Sequence, residues 1–230
     1  MNKKYSVLLA DLDNTLLDFS ASERIAISRL LEHYGGATEK ALIDYPSYND
    51  SLWKRLEKGE ITRDQLVKTR FAGFFKRHGI NGDGGEAAFL YQKYLSESAI
   101  WMDGAEELLL KCRGKIKVYV ISNGIATVQL PRVRSSGIDK LTDGHFISEI
   151  IGYNKPDIRY FEAVSGKIPG FDRDKTLVLG DSLTADIAGG KAFGCDTCLF
   201  DKDGKYNVTE NIKPYLLIRK LSELYKILDI

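Results

Sequence analysis

Asp11-Leu12-Asp13-Asn14-Thr15 places two carboxylates one residue apart, directly after the apolar run Val7-Leu8-Leu9-Ala10. Carboxylates this close repel. A hard divalent cation suits oxygen-only ligands better than a soft metal, so Mg²⁺ is the expected partner. Read alone, the motif could equally be a helix cap, since Asp and Asn often end strands and open turns. Gly180-Asp181-Ser182-Leu183-Thr184-Ala185-Asp186 sets further carboxylates behind a second apolar run, Thr176 to Leu179. Asp181 can complete a metal site begun by Asp11 and Asp13. Asp186, a helical turn further on, is placed to orient the ligands or a lysine from behind; the plainer alternative is a solvated first-turn acid favoured by the helix dipole.

Ser122-Asn123-Gly124 follows a third apolar run, Val118 to Ile121. It offers a hydroxyl, an amide and a glycine whose backbone can approach a ligand closely, which together make a phosphate grip. By itself it would be no more than a capped turn. Lys155-Pro156-Asp157 precedes a helical pattern, with proline expected at the first helical position and so stiffening the lysine's backbone. The ammonium can then pair with a nucleophilic carboxylate and a phosphoryl oxygen, although an exposed solubilising lysine is the ordinary reading of a single Lys. Phosphoryl transfer needs this set: an anionic nucleophile, Mg²⁺ and Lys against phosphate charge, and an acid near the leaving group. Asp11 is the expected nucleophile. Asp13 would protonate the departing alkoxide and then deprotonate the water that hydrolyses an aspartyl-phosphate.

Positioning these groups falls to strands. The runs starting at Val7, Val118 and Thr176 recur at Thr197-Cys198-Leu199-Phe200 and, more weakly, at Leu216-Leu217-Ile218 and Phe146-Ile147. Each is short, unbroken and apolar, as central parallel strands covered on both faces are. Helical patterns at 104–110, 159–164 and 183–192 read as crossovers, and 221–228 as a closing helix. The class is therefore α/β with a mostly parallel sheet. In such a sheet the carboxyl ends of the strands converge on one crevice, which gathers the four motifs. Between Thr15 and about Tyr94 helical patterns replace strands, beginning at 21–34 with Ile25, Ile27, Leu30 and Leu31 as an apolar face. That stretch reads as an all-helical insertion, broken once by Asn81-Gly82-Asp83-Gly84-Gly85. The boundaries drawn are 1–16 and 99–230 for the sheet domain, and 17–98 for the insertion.

The 230 residues, 43% hydrophobic, can bury a substantial core, and 33 basic against 32 acidic residues leave no single-sign field to attract a nucleic-acid polymer or an anionic membrane. Residues 1–4 run into an apolar stretch that ends at a carboxylate, so no signal peptide is expected. No apolar run approaches the ~20 residues that cross a bilayer. Cys112, Cys195 and Cys198 are too few for a disulfide framework, and a cytoplasmic location is expected. Cys195 and Cys198, three apart around a strand, should face opposite ways as core residues. His33, His78 and His145 are scattered, which argues against zinc.

The four motifs, in this order over essentially the whole chain, resemble the haloacid dehalogenase-like superfamily, and the helical insertion resembles its type-one cap. The resemblance implies a Rossmann-like core. It makes Asp11 the nucleophile, Asp13 the acid/base, Lys155 the neutralising lysine, and Thr15, Ser122 and Asn123 phosphate contacts. Asp181 would be an added metal ligand, and Asp13 would reach the metal through its backbone carbonyl. Dehalogenases of the superfamily lack the second aspartate, so Asp13 implies phosphate chemistry. Within the insertion, Tyr48-Asn49-Asp50-Ser51-Leu52-Trp53, Leu56 to Thr62 and Thr69-Arg70-Phe71 resemble the bacterial pyrimidine 5′-nucleotidase branch. Ile125 and Ala126 depart from its pattern, and Leu130-Pro131 is expected to interrupt the helix after the second motif.

The expected substrate is thus a small phosphorylated metabolite, a nucleoside monophosphate. A sugar-phosphate or phosphoglycolate phosphatase, a phosphomutase, and a non-catalytic binding module are the alternatives. Trp53 and Tyr48 could stack on a base while Asn49 and Arg70 read its polar edge. The competing reading makes Tyr48, Trp53, Phe71, Phe74 and Phe75 the insertion's own core, with Arg70 snorkelling out of it.

Overall fold

The computed structural model describes residues 5–206 and 213–230; the basic opening at 1–4, read above for a signal peptide, lies outside them. Strands β1 (Val7–Asp11), β2 (Lys117–Ser122), β3 (Gly144–Ile147), β4 (Thr176–Gly180), β5 (Asp196–Phe200) and β6 (Leu216–Ile218) form one sheet in the order β3-β2-β1-β4-β5-β6. Every pairing is parallel. Alternation along each strand explains why the runs are apolar throughout: Leu8 and Ala10 of β1, with Val118, Val120, Leu177 and Leu179, enter one core cluster, while Val7, Leu9, Tyr119, Ile121 and Val178 enter another on the opposite face. Each fully buried aliphatic side chain contributes about 1.5–3 kcal/mol. Cys195 and Cys198 fall in the two different clusters, as expected.

Four helices, α1 (Phe19–His33), α2 (Glu39–Glu57), α3 (Arg63–His78) and α4 (Gly84–Ser96), make up the insertion, here called the cap. The chain leaves and re-enters the sheet layer side by side: Asp18 N donates to Ile100 O at 2.8 Å and Met102 N to Leu16 O at 2.9 Å. Ala26, Ile27, Leu30 and Leu31 of α1, Tyr45 of α2, Phe71, Phe74 and Phe75 of α3 and Tyr91 of α4 form the cap's core. Ile25 corrects the expected apolar face, being 45% exposed. Three breaks separate the helices, not one. Helix α3 opens on a capping box between Thr62 and Gln65 and closes at Gly79, whose φ of 64° suits glycine. Gly84 and Gly85 belong to α4, because the Asp83 side chain caps it by accepting from Glu86 N.

The remaining helices are α5 (Ala105–Cys112), α6 (Ala126–Ser136), α7 (Ser148–Ile151), α8 (Ile158–Ser165), α9 (Ala188–Phe193) and α10 (Leu224–Leu228). Leu108 and Leu109 of α5 with Leu224 of α10 cover one face of the sheet, and Tyr160 and Phe161 of α8 with Phe193 of α9 cover the other. Contrary to expectation, Leu130-Pro131 does not interrupt α6. Val128, Gln129, Arg132 and Val133 on either side of the proline are buried, and that packing outweighs the lost backbone bond. The strand order reverses between β1 and β4, so a crevice opens there at the carboxyl ends, beside Asp11 and Asp181.

Candidate active site

Lys155 is 1% exposed, which removes the reading of a solvent-facing lysine. Its Nζ donates to Asp11 Oδ1 at 2.6 Å, to Asp186 Oδ1 at 2.6 Å and to Ile121 O at 3.2 Å. All three ammonium hydrogens are thereby placed. Pro156 does not occupy the first helical position, because α8 begins at Ile158 with Asp157 as its cap, accepting from Arg159 N at 2.9 Å. The backbone of Lys155 is held instead by Asn123, whose Nδ2 donates to Lys155 O and whose Oδ1 accepts from Lys155 N, both at 2.8 Å. That pairing uses the Asn123 Oδ1 and one of its two amide hydrogens, and leaves the second for a phosphate.

Asp186 is 1% exposed and so is not a solvated first-turn acid. Its second oxygen accepts from Ser182 N at 3.2 Å. The segment Leu183–Ile187 is a π-helical turn, a local widening that often marks functional sites. Gly180 makes room for this arrangement, since a Cβ there would overlap the Asp186 carboxyl group. Gly180→Ala is therefore expected to push Asp186 off Lys155, lowering phosphatase turnover at least about tenfold and the melting temperature by several degrees. Steady-state kinetics and a melting curve check it, and wild-type values for both would show that Asp186 can move without consequence.

Asp11, Asp181 and Asp186 each bring a carboxylate oxygen within 4.8 Å of the others. Burial, opposed by Lys155 and reinforced by Asp186, Asp181 and Asp13, pushes the Asp11 carboxyl well above its ordinary range. Burial and then Asp186 push Asp181 up to about 7. Crowded hard oxygens of this kind fit Mg²⁺, which would lower both values. Because both oxygens of Asp186 are engaged, Asp11 and Asp181 are the carboxylates suited to hold the ion, with Asp186 behind them.

The Asp13 side chain stands apart from that trio. Gln129 Nε2 donates to its Oδ2 and Arg132 Nη1 to its Oδ1, both at 2.5 Å. Arg132 is fully buried and also donates from Nε to Ser98 O at 2.9 Å, at the point where the chain returns from the cap. Sequence reading assigned no role to Gln129 and Arg132; the available signal was their i,i+3 spacing on the helix after the second motif. Gln129 also donates to Ser122 Oγ at 2.9 Å, and Gly124 N donates to the same oxygen at 3.1 Å. The Ser122 hydrogen remains for a phosphate oxygen. Gly124 lines the cavity, and its lack of a side chain also makes room for Gln129, whose amide a Cβ would strike. Thr15 corrects a further expectation. It is fully buried, its hydroxyl has no partner among the described residues, and it is not part of the cavity wall. Asn14, with φ 59°, turns the chain inward there.

A cavity of about 790 Å³ lies between this sheet edge and the cap. Asn49, Trp53 and Arg70 all line it. Tyr48 does not: its hydroxyl donates to Arg70 O at 2.9 Å and its ring packs on Phe74. Phe71, Phe74 and Phe75 are cap core, as the plainer reading held, but Arg70 is 2% exposed and does not snorkel. Among the described residues, the ties that cross from cap to sheet domain include two beside the cavity. Arg63 Nη2 donates to Asn123 O at 3.2 Å, and to Ser148 Oγ and Asn154 Oδ1 at 2.5 Å; Thr184 Oγ1 donates to Glu57 Oε2 at 2.9 Å.

A reversed-order parallel sheet, a helical cap and buried carboxylates around one lysine define a hydrolase, and the chain belongs to the haloacid dehalogenase-like hydrolase family, which matches residues 5–194. It is 41% identical to the HAD-hydrolase YfnB of Bacillus subtilis over 229 residues, 99% of this chain and 97% of that protein. It is 38% identical to the pyrimidine 5′-nucleotidase PynA of Streptococcus pneumoniae over 227 residues, 98% of this chain and 95% of that protein. A crystal structure of YfnB bound to magnesium, in which interdomain movement is seen, superimposes with a TM-score of 0.93 at 40% identity, covering 99% of this chain and 100% of that one.

Proposed function

We propose that this chain is a Mg²⁺-dependent phosphatase that hydrolyses pyrimidine nucleoside 5′-monophosphates through a phosphoryl group carried on Asp11. The observation that carries the reading is Lys155 locked between Asp11 and Asp186 at the floor of a cavity that Asp13 and Ser122 also line. The similarity to PynA over nearly the full length supports the substrate class.

In this mechanism an Asp11 oxygen attacks phosphorus as the ester bond to the leaving oxygen breaks. Lys155 fixes the attacking carboxylate and neutralises charge on the phosphoryl oxygens, and Ser122 donates its free hydrogen to one of them. Mg²⁺, held by the Asp11 and Asp181 carboxylates with the Asp13 carbonyl, would supply further charge neutralisation. Asp13 gives a proton to the departing 5′-oxygen, then takes one from the water that attacks the aspartyl-phosphate, which restores Asp11 and releases phosphate. Both Asp13 oxygens accept hydrogen bonds where the side chain now lies. To act as the acid it has to give up Gln129 or Arg132. A cytoplasmic place of work is part of the same proposal, supported by three buried cysteines.

Phosphate release from UMP, dUMP, dTMP, ribose 5-phosphate and phosphoglycolate, each with Mg²⁺ and with chelator, tests the reading. Magnesium-dependent release concentrated on the nucleotides is expected. Preference for a sugar phosphate would keep the mechanism and overturn the substrate, and no release from any ester would leave a non-catalytic binding module.

A further inference from the structure

Among the polar side chains that the cap helices send to the cavity wall, four are nearly buried: Glu23 from α1, Asn49 from α2, Arg70 from α3 and Tyr91 from α4. Glu23 is 5% exposed, Asn49 and Arg70 2%, and Tyr91 1%. Asn49 Nδ2 donates to Glu23 Oε1 at 2.7 Å, Arg70 Nη1 donates to Asn49 Oδ1 at 3.0 Å, and the Tyr91 hydroxyl donates to the same Glu23 Oε1 at 3.4 Å. The Arg70 guanidinium lies 4.6 Å from the centre of the Tyr91 ring.

Packing alone does not account for this network. The surrounding cap core is apolar, and a buried acid and base separated by an amide are harder to hold than hydrocarbon of the same volume. The network is also incomplete. Arg70 Nε and Nη2 are buried without a partner among the described residues, and the hydrogen bonds described for Glu23 all fall on Oε1. Burial lifts the Glu23 carboxyl to about 7 although Asn49, Arg70 and Tyr91 all pull it down, as expected of a carboxylate short of donors. Vacant donors thus stand beside an under-used acceptor. Because Glu23 and Arg70 offset each other's charge, the wall suits a neutral group with an N–H next to an acceptor better than a second anion.

We propose that this cluster is a base-reading subsite in which Glu23 accepts from an N–H on the edge of the nucleobase while Arg70 donates to the oxygen or ring nitrogen beside it. The proposal rests on the nucleotidase reading and adds to it the group that recognises the base. Asn49 and Tyr91 act as positioning residues that aim Glu23 and Arg70.

The test compares kcat/KM of the full chain for UMP, for 3-methyluridine 5′-monophosphate, in which the ring N–H is replaced by N–CH₃, and for ribose 5-phosphate, which has no base. Wild-type protein is expected to lose about 100-fold or more on the methylated nucleotide, because a site built for a hydrogen bond strongly rejects the analogue that lacks it. In Glu23→Gln, the amide oxygen can keep the Asn49 bond while its N–H₂ faces the base N–H. The ratio of UMP to ribose 5-phosphate activity should then fall about tenfold or more. Equal turnover of UMP and its methylated form by wild type, which needs no variant to fold, would overturn the proposal; so would an unchanged ratio in Glu23→Gln. Wild-type preference for ribose 5-phosphate over every nucleotide would instead remove the nucleotidase reading, and this subsite with it.

Discussion

Asp11→Asn is expected to lower turnover by roughly 10⁴-fold or more while leaving the protein folded and, in chelator, more stable than wild type. The neutral amide cannot form the bond to phosphorus that the proposed route requires. Stability should move the other way. Burial, only partly offset by Lys155, raises the Asp11 carboxyl, and Asp186, Asp181 and Asp13 raise it further. With a folded value above the unfolded one, the folded chain binds more protons, so Asp11 lowers stability as pH climbs above the ordinary carboxylate value of 3.8. Asparagine removes that penalty. Lys155 loses one charged partner but keeps Asp186 and Ile121 O. Melting curves in chelator should therefore show the variant ahead of wild type by more at pH 8 than at pH 5. Added Mg²⁺ should narrow the gap by stabilising wild type. Turnover at a tenth of the wild-type rate, or a labelled phosphoryl group trapped on the Asn variant, would sink the covalent mechanism.

Why this site could be read so far from sequence follows from where its residues sit. Asp11, Ser122 and Asp181 stand at or just beyond strands whose apolar runs are unbroken because both faces are covered, so the ends of the runs located them. Lys155 follows β3, the faintest such signal, and its burial could not be foreseen from its type. Roles were harder to read than places. Asn123 offers an amide on a strand-end turn to a phosphate, but that amide also holds the backbone of Lys155, 32 residues on, which the local motif does not reveal. Thr15, buried and off the cavity wall, makes the same point: a local motif does not say which neighbour will take up its hydrogen bonds or its free space. Glu23, Arg63, Gln129 and Arg132 were missed because each acts through a contact at least 26 residues away in sequence. A charged residue on a helical pattern usually faces water, and only the packed cap shows that Glu23 and Arg70 do not.

Lys155→Met tests whether the same bridge that serves catalysis also holds the two carboxyl-ended strands together. The substitution keeps the volume but withdraws the donor from Asp11, Asp186 and Ile121 O at once. Removing one partner of a buried ion pair costs about 3–5 kcal/mol. Burial alone would pull the Lys155 ammonium down; Asp11 and then Asp186 more than offset it, so its folded value lies above the ordinary 10.5. The stabilisation is therefore complete below pH 10.5 and fades only as pH rises through that folded value. At neutral pH wild type has it in full. The variant's deficit should grow from pH 5 to pH 8, because Asp11, whose carboxyl burial already raises, can take up a proton at the lower pH and so relieve its repulsion with Asp186. Turnover should fall by about 10²–10³-fold, the loss typical of removing one preorganised donor at a developing charge. Adding Asp186→Asn to Lys155→Met should restore part of the stability without restoring turnover, since it removes a stranded charge but supplies no cation to the phosphoryl group. A Lys155→Met protein that melts with wild type at both pH values would mean that Asp11 and Asp186 find another counter-charge, with Mg²⁺ the first to test by repeating the melt in chelator.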